Sequence, residues 1–254
     1  NHILYSALLW SWRQLIGNGN ELIMRLPGLL LAVLTLLGAY IHGRKLFDRS
    51  AGFFLAVLIA FSPVYLGFFW QIRGYGLSIF LATLATLGSL YLVRGDWWRG
   101  LSLYLPGALL LPGVIPSNLM VNFSLWLFLV LAWWRQGRLR RHLWAALGLG
   151  VVGVLGMALY LPIWDKFRAV MAVTDGWHSG PKVLAHLLLA AAAHGGLFMI
   201  ATLALRRQSP QVRVDFAASL HPLLPWLALA CALPITVVAL WQAPFPRVFL
   251  GYLP

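Results

Sequence analysis

The stretch GLSLYLPGALLLPGVIPSNLMVNFSLWLFLVLAWW, residues 100–134, carries no Asp, Glu, Lys or Arg over 35 positions, and the arginine-rich RQGRLRR follows it at 135–141. How often this stretch crosses a membrane decides the fold. A membrane-spanning helix needs about 20 mostly apolar residues. The stretch therefore fits one long bent helix, or two short ones broken near Pro112, Gly113, Pro116, Ser117 and Asn118.

The neighbouring sequence resolves the choice. Charge-free stretches also cover 26–43, 50–72, 74–93, 142–164, 183–205 and 216–246, each 18 residues or longer. Four basic clusters fall between them: Arg44, Lys45 and Arg49; Arg94 and Arg99; Arg135, Arg138, Arg140 and Arg141; and Arg206, Arg207 and Arg213. Basic residues beside spans stay on the cytoplasmic side. If all four clusters lie there, two spans separate each from the next, and 100–134 must cross twice. The expected architecture is an all-α, polytopic transmembrane helical bundle of about eight spans. The inside then holds 12 of the 19 cations with Asp48, Asp96 and Asp215, and the outside 7 cations with Glu21, Asp165 and Asp175. Trp97, Trp98, Trp133 and Trp134 flank the inside clusters, as interfacial aromatic residues do.

Composition agrees. Of 254 residues, 61% are hydrophobic and 10% charged, with mean hydropathy +0.82; a soluble domain carries about 25% charged residues. One Cys excludes a disulfide framework and a Cys-based zinc site. Net charge +13 would suggest nucleic acid in a polar protein. Here the cations punctuate apolar runs, so membrane lipids are the expected partner and nucleic acid is not. The chain starts with Asn1 rather than Met and stops at Pro254 as another apolar stretch begins, so we expect a piece of a longer protein. It reads as a single membrane-embedded domain. Residues 1–20 form an outer-surface segment, 21–241 the eight spans, and 242–254 an outer loop and the start of a further span. Within the first segment, 3–16 carry Trp10, Trp12 and Arg13 on an apolar background, the pattern of an amphipathic helix lying on the surface.

Polar residues at the outer face are the candidates for chemistry. Arg73, in Trp70-Gln71-Ile72-Arg73-Gly74-Tyr75-Gly76, is the only charge between residues 50 and 93 and sits in a very short turn between spans. Its guanidinium suits phosphate through two parallel hydrogen bonds, or it snorkels to lipid headgroups. Arg247 is a lone cation at the outer mouth of the last span, open to the same two readings. Asn1 and His2 precede the surface helix, where His2 could carry a proton or simply be solvated. Asp175 and His178 pair a carboxylate with an imidazole in a Gly-containing outer loop, as an acid–base pair, a metal corner or a solvated pair. His186 and His194 share roughly one side of a span and suit helix packing or a cavity. Asn118 and Asn122, one turn apart, could bond a sugar or another helix.

The order of several short stretches resembles the bacterial membrane glycosyltransferases of the GT-C fold, relatives of protein mannosyltransferases and aminoarabinose–lipid A transferases. They are Asn1-His2-Ile3-Leu4-Tyr5-Ser6, Glu21-Leu22-Ile23-Met24-Arg25-Leu26-Pro27, Gly43-Arg44-Lys45-Leu46-Phe47-Asp48, Ala60-Phe61-Ser62-Pro63, Arg73-Gly74-Tyr75-Gly76-Leu77 and Pro246-Arg247-Val248. The resemblance is carried by residues 1–95 and the closing Arg247. It implies a donor sugar on polyprenyl phosphate, an acceptor hydroxyl on a glycan, lipid or protein, inverting transfer, and an active face outside the plasma (inner) membrane. It implies that Arg73 and Arg247 bind the donor phosphate, that Tyr75 packs or hydrogen-bonds beside them, and that Asn1 and His2 face the acceptor. No cofactor is assigned; a divalent cation is compatible with the resemblance. The family's first helix and acidic motif would precede Asn1, and Ile72 stands where many relatives carry an acid. The catalytic carboxylate is thus unassigned, Asp175 is its only stand-in, and this chain alone is expected to be inactive. The competing reading is a lipid-linked-saccharide binding or transport protein without transferase chemistry. A flippase should carry polar groups through the midplane, whereas the ionisable residues here cluster at the two faces, apart from His186 and His194.

Overall fold

The computed structural model describes residues 3–17, 20–69 and 71–165, and these are all-helical with no strand among them. The expected spans 183–205 and 216–246, the fourth basic cluster, and Asn1, His2, Asp175, His178, His186, His194 and Arg247 lie outside the described residues. Helix α1 covers Ile3–Ile16, α2 Glu21–Leu46, α3 Arg49–Ala60, α4 Pro63–Phe69, α5 Tyr75–Arg94 and α6 Trp97–Val114. A 3₁₀ turn, Pro116–Asn118, leads into α7, Leu119–Arg135; α8, Leu139–Leu155, continues as a 3₁₀ segment over Gly156–Ile163.

Four stretches are long and apolar enough to cross a membrane: Glu21–Leu46, Tyr75–Arg94, Pro116–Arg135 and Leu139–Ile163. Residues 100–134 form two helices with the break at Ile115–Asn118, where Pro116 withholds an N–H and Ile115 is extended. The first of them, α6, is not among the four, since it opens on Trp97, Trp98 and Arg99 and contains Pro106 and Pro112. The stretch 50–72 is not one helix. Pro63 starts α4, and the residue before a proline is pushed away from the α region, so α3 stops at Ala60 after 12 residues. That is about 18 Å of helix against a hydrocarbon core of about 30 Å.

Helix α5 is the hub. It packs most extensively on α6 and also on α2 and α7. One core on its flank gathers Leu92, Tyr104, Leu111, Phe128 and Trp133; the other gathers Leu31, Ile59, Tyr65, Phe69 and Ile79. Small residues set the spacing. A Cβ on Gly107 would stand 2.8 Å from Ala85 N and Leu81 O, and one on Gly43 2.9 Å from Gly52 Cα. Backbones approach this closely where dispersion rather than water drives helix association. By contrast one face of α2 is uncovered, with Leu26, Leu30, Val33, Leu37 and Ile41 forming an exposed stripe at helical spacing. Such a stripe suits lipid as the solvent.

Side chains repair the backbone where prolines interrupt it. Pro27 withholds the N–H that would bond Ile23 O, and Trp12 of α1 donates its indole N–H to that carbonyl at 3.0 Å. Pro112 likewise leaves Ala108 O unbonded within α6, and Asn122 Nδ2 donates to it at 2.6 Å and to Gly153 O at 2.8 Å. Asn118 Nδ2 donates to Leu111 O at 3.1 Å, in the last turn of α6, and to Ser78 Oγ at 2.9 Å. Both asparagines are buried, so they bond helices and not a solvent-borne sugar.

Asn122→Leu keeps the volume but strips two buried carbonyls of their donor. It should lower the stability of the detergent-solubilised protein by about 1–3 kcal/mol, read by thermal unfolding. Trp12→Phe should cost less, about 1 kcal/mol, since the α1 contact is partly exposed. An unchanged melting curve for Asn122→Leu would contradict the bonding role.

Candidate functional site

Among the described residues, the two ends of the bundle differ in charge. At one end meet the α2–α3, α5–α6 and α7–α8 turns, with nine exposed cations in 44–49, 94–99 and 135–141 against Asp48 and Asp96. At the other end lie α1, the start of α2, the α4–α5 bend and the described end at Asp165, with Arg13, Arg25 and Arg73 against Glu21 and Asp165. The sparse end holds the candidate site.

The bend between α4 and α5 is residues 71–74, with Trp70 outside the described residues. Gln71 closes α4 by donating its N–H to Phe68 O at 3.3 Å and its Nε2 to Gly67 O at 3.1 Å. Arg73 is exposed, and no hydrogen bond or ion pair joins it to another described residue. Immediately after it α5 begins, so its guanidinium is attached beside the positive end of a 20-residue helix. Tyr75 is buried in the first turn, its ring edge-on to Phe68 at 4.8 Å between centroids.

The bend rests on α2 through Gly28. A Cβ there would meet Phe69 O at 2.9 Å and Tyr5 Oη at 3.8 Å. Tyr5, on α1, is 2% exposed, and its hydroxyl has no hydrogen-bond partner among the described residues. Burial pushes its phenol pKa up, so the hydroxyl stays protonated. Sequence reading placed Asn1 and His2 at this side and passed over Tyr5; its signal was the small Gly28 next to Pro27. Leu4 meanwhile packs toward Gly113 at the end of α6.

The acids of this end are accounted for. Glu21 is in the first turn of α2 and forms an ion pair with Arg25, while Asn20 Oδ1 accepts from Ile23 N at 3.1 Å. Asp165 is exposed at the close of the 3₁₀ segment. Among the described residues no group of three His, Cys, Asp or Glu comes together. Alongside α7 and α8 runs a groove of about 680 Å³, lined by Trp126, Gly150, Val154, Met157, Leu161 and Trp164. No family model, curated protein or solved structure matches this chain.

Gly28→Ala should push against a backbone oxygen that cannot rotate away, separating α4 from α2 and shifting the Arg73 bend. The expected cost is about 1–3 kcal/mol. Gly38→Ala is the control, as nothing lies within 4 Å of a Cβ there; it should be neutral or stabilise by up to about 1 kcal/mol. Thermal unfolding of both in one detergent checks the pair, and equal melting would refute the tight contact.

Proposed function

We propose that this chain is the membrane core of a glycosyltransferase of the GT-C type, with about eight spans, moving a sugar from a polyprenyl-phosphate donor to an acceptor hydroxyl at the outer face of the plasma (inner) membrane. The observation that carries the reading is Arg73. It is exposed, has no carboxylate partner among the described residues, and stands at a helix start on the cation-poor end.

The chemistry asked of the site is modest. The acceptor oxygen attacks the anomeric carbon while the bond from that carbon to the phosphate oxygen breaks, inverting the centre. The acceptor proton passes to a base, and polyprenyl phosphate leaves with the bonding pair. A phosphate is already a good leaving group, so positioning and stabilisation of its growing charge dominate. Arg73 supplies that stabilisation through its two-pronged N–H face, with Arg247 as the second phosphate ligand and Tyr75 holding the bend in register. The acceptor lies toward α1, on the side of Asn1, His2 and Tyr5. Glu21 is held by Arg25, which weakens it as the base and leaves Asp175, or an acid supplied outside this chain, for that role.

In the full-length protein Arg73→Ala should nearly abolish transfer, and Arg73→Lys should keep partial activity because the charge remains but the fork is lost. A lost charge-assisted hydrogen bond corresponds to about 1.5–3 kcal/mol, or roughly 10- to 150-fold in rate at those energies. Normal turnover in Arg73→Ala at unchanged expression rejects the assignment. Donor binding without any transfer in the wild type favours the saccharide-binding or transport reading.

Orientation has its own check. With Cys231 replaced, Gln14→Cys should label with an impermeant thiol reagent in intact cells, and Gln136→Cys only after permeabilisation. The reverse pattern would put the Arg73 end in the cytoplasm.

A further inference from the structure

Three turns distant in sequence are fastened together at the cationic end. Gln136 Nε2, from the α7–α8 turn, donates to Val93 O at the end of α5. Trp97 stacks on Trp133 at 5.8 Å, and the His142 ring lies 5.1 Å from both. On the other flank Arg94 sits over the Phe47 ring at 5.3 Å, and His42 Nδ1 meets Tyr91 Oη at 3.2 Å. The turns themselves are stiff. Asp48 Oδ1 accepts from Ala51 N, Asp96 Oδ1 from Arg99 N, and Gly95 and Gly137 take positive φ to close α5 and α7.

The same contacts decide what the cations can bind. Asp48 is engaged as a helix cap, and Asp96 caps α6 and pairs with Arg99 at 2.7 Å. The other eight exposed cations of these turns have no carboxylate partner among the described residues. Around them Trp98, Trp134 and Trp144 are 84%, 62% and 83% exposed. Exposed indoles at a helix end mark the membrane–water boundary, which sets the neighbouring guanidinium groups at the depth of lipid phosphates. Cations snorkelling one by one would sample many positions. The turns that carry these cations are held in fixed relation by the Trp97–Trp133–His142 cluster and by the Gln136 bond.

We propose that this end is a docking surface for the phosphate headgroups of anionic phospholipids in the adjoining leaflet, centred on the 94–99 and 135–141 turns. Arginine forks bind phosphate oxygens directly, and the surface potential of an anionic leaflet adds attraction for each cation near it. The proposal stands independently of the glycosyltransferase reading, because it uses the opposite end of the bundle.

The test uses the full-length protein in phosphatidylcholine nanodiscs containing a minor share of phosphatidylglycerol. Lipids retained by the protein are counted by native mass spectrometry after gentle extraction. The wild type should retain phosphatidylglycerol over phosphatidylcholine by at least about fivefold, the worth of one well-placed cation. Changing Arg138, Arg140 and Arg141 together to Gln should erase most of that preference. Changing the same three to Lys should keep a preference, and Arg13→Gln, at the other end, should leave it intact. Equal preference in the wild type and the Gln variant overturns the proposal. If the Gln variant fails to insert, the wild type decides: added salt should reduce the preference, and a salt-independent one overturns it. Displacement of phosphatidylglycerol by inorganic phosphate, beyond a chloride control of equal ionic strength, would make this a site for free anions and also overturn it.

Discussion

Away from water, every backbone N–H and C=O must find a partner inside the protein. The packing of the described helices follows from that constraint, because several of them are interrupted. Pro27 and Pro112 each remove a donor from an apolar helix, and the donors that replace them come from other helices. Trp12 ties α1 to α2, Asn122 ties α7 to α6 and α8, and Tyr160 Oη reaches Gly113 O at the end of α6 at 3.4 Å. A proline that would only weaken a soluble helix becomes here an anchor point for its neighbour. The position of α1 is thus bound to the turn of α2 that holds Pro27, and through Gly28 to the bend that carries Arg73.

Charge made much of this legible in advance. The limits of α2 and α5, the end of α7 and the start of α8 fall close to charged residues, because a charge shows where water begins. The two-helix reading of 100–134 came from counting crossings between basic clusters, and the break lies among the residues named for it. Counting charges is blind to interruptions that carry none. Residues 50–72 read as one apolar run, yet Ser62-Pro63 divides it into α3 and α4 by removing a hydrogen bond rather than by adding polarity.

Side-chain roles were less legible, for a related reason. Hydropathy gives the depth of a residue but not the neighbour it faces. Asn118 and Asn122 have the same depth and spacing whether they bond a ligand or a helix; only the position of Ala108, four residues before Pro112, distinguishes the cases, and that pairing crosses between helices. Trp12 looked like an interfacial residue for the same reason. Tyr5 and Phe69 both come close to Gly28 because it has no side chain, and no periodicity announces this approach of α1 and α4 to α2. In principle a proline's i−4 carbonyl is a readable vacancy, and a polar residue on an adjacent helix at matching depth is its natural occupant.

The charge asymmetry bears on how the sparse end could discriminate. Among nine crowded cations, removal of one changes the local potential modestly, and any anion is attracted. At the opposite end Arg25 is held by Glu21, and Arg13 lies in the last turn of α1, where it complements the helix dipole. Arg73 therefore contributes a larger share of the field around the bend than any single cation does at the crowded end. The backbone that carries it is braced by Tyr75 against Phe68 on one side and by Gln71 on the last turn of α4 on the other. A single cation on a braced bend in a weak field selects a ligand by where its charge sits, which is what the proposed transfer from a membrane-bound phosphate would require. A broad field of many cations selects by total charge, which is what holding a leaflet requires.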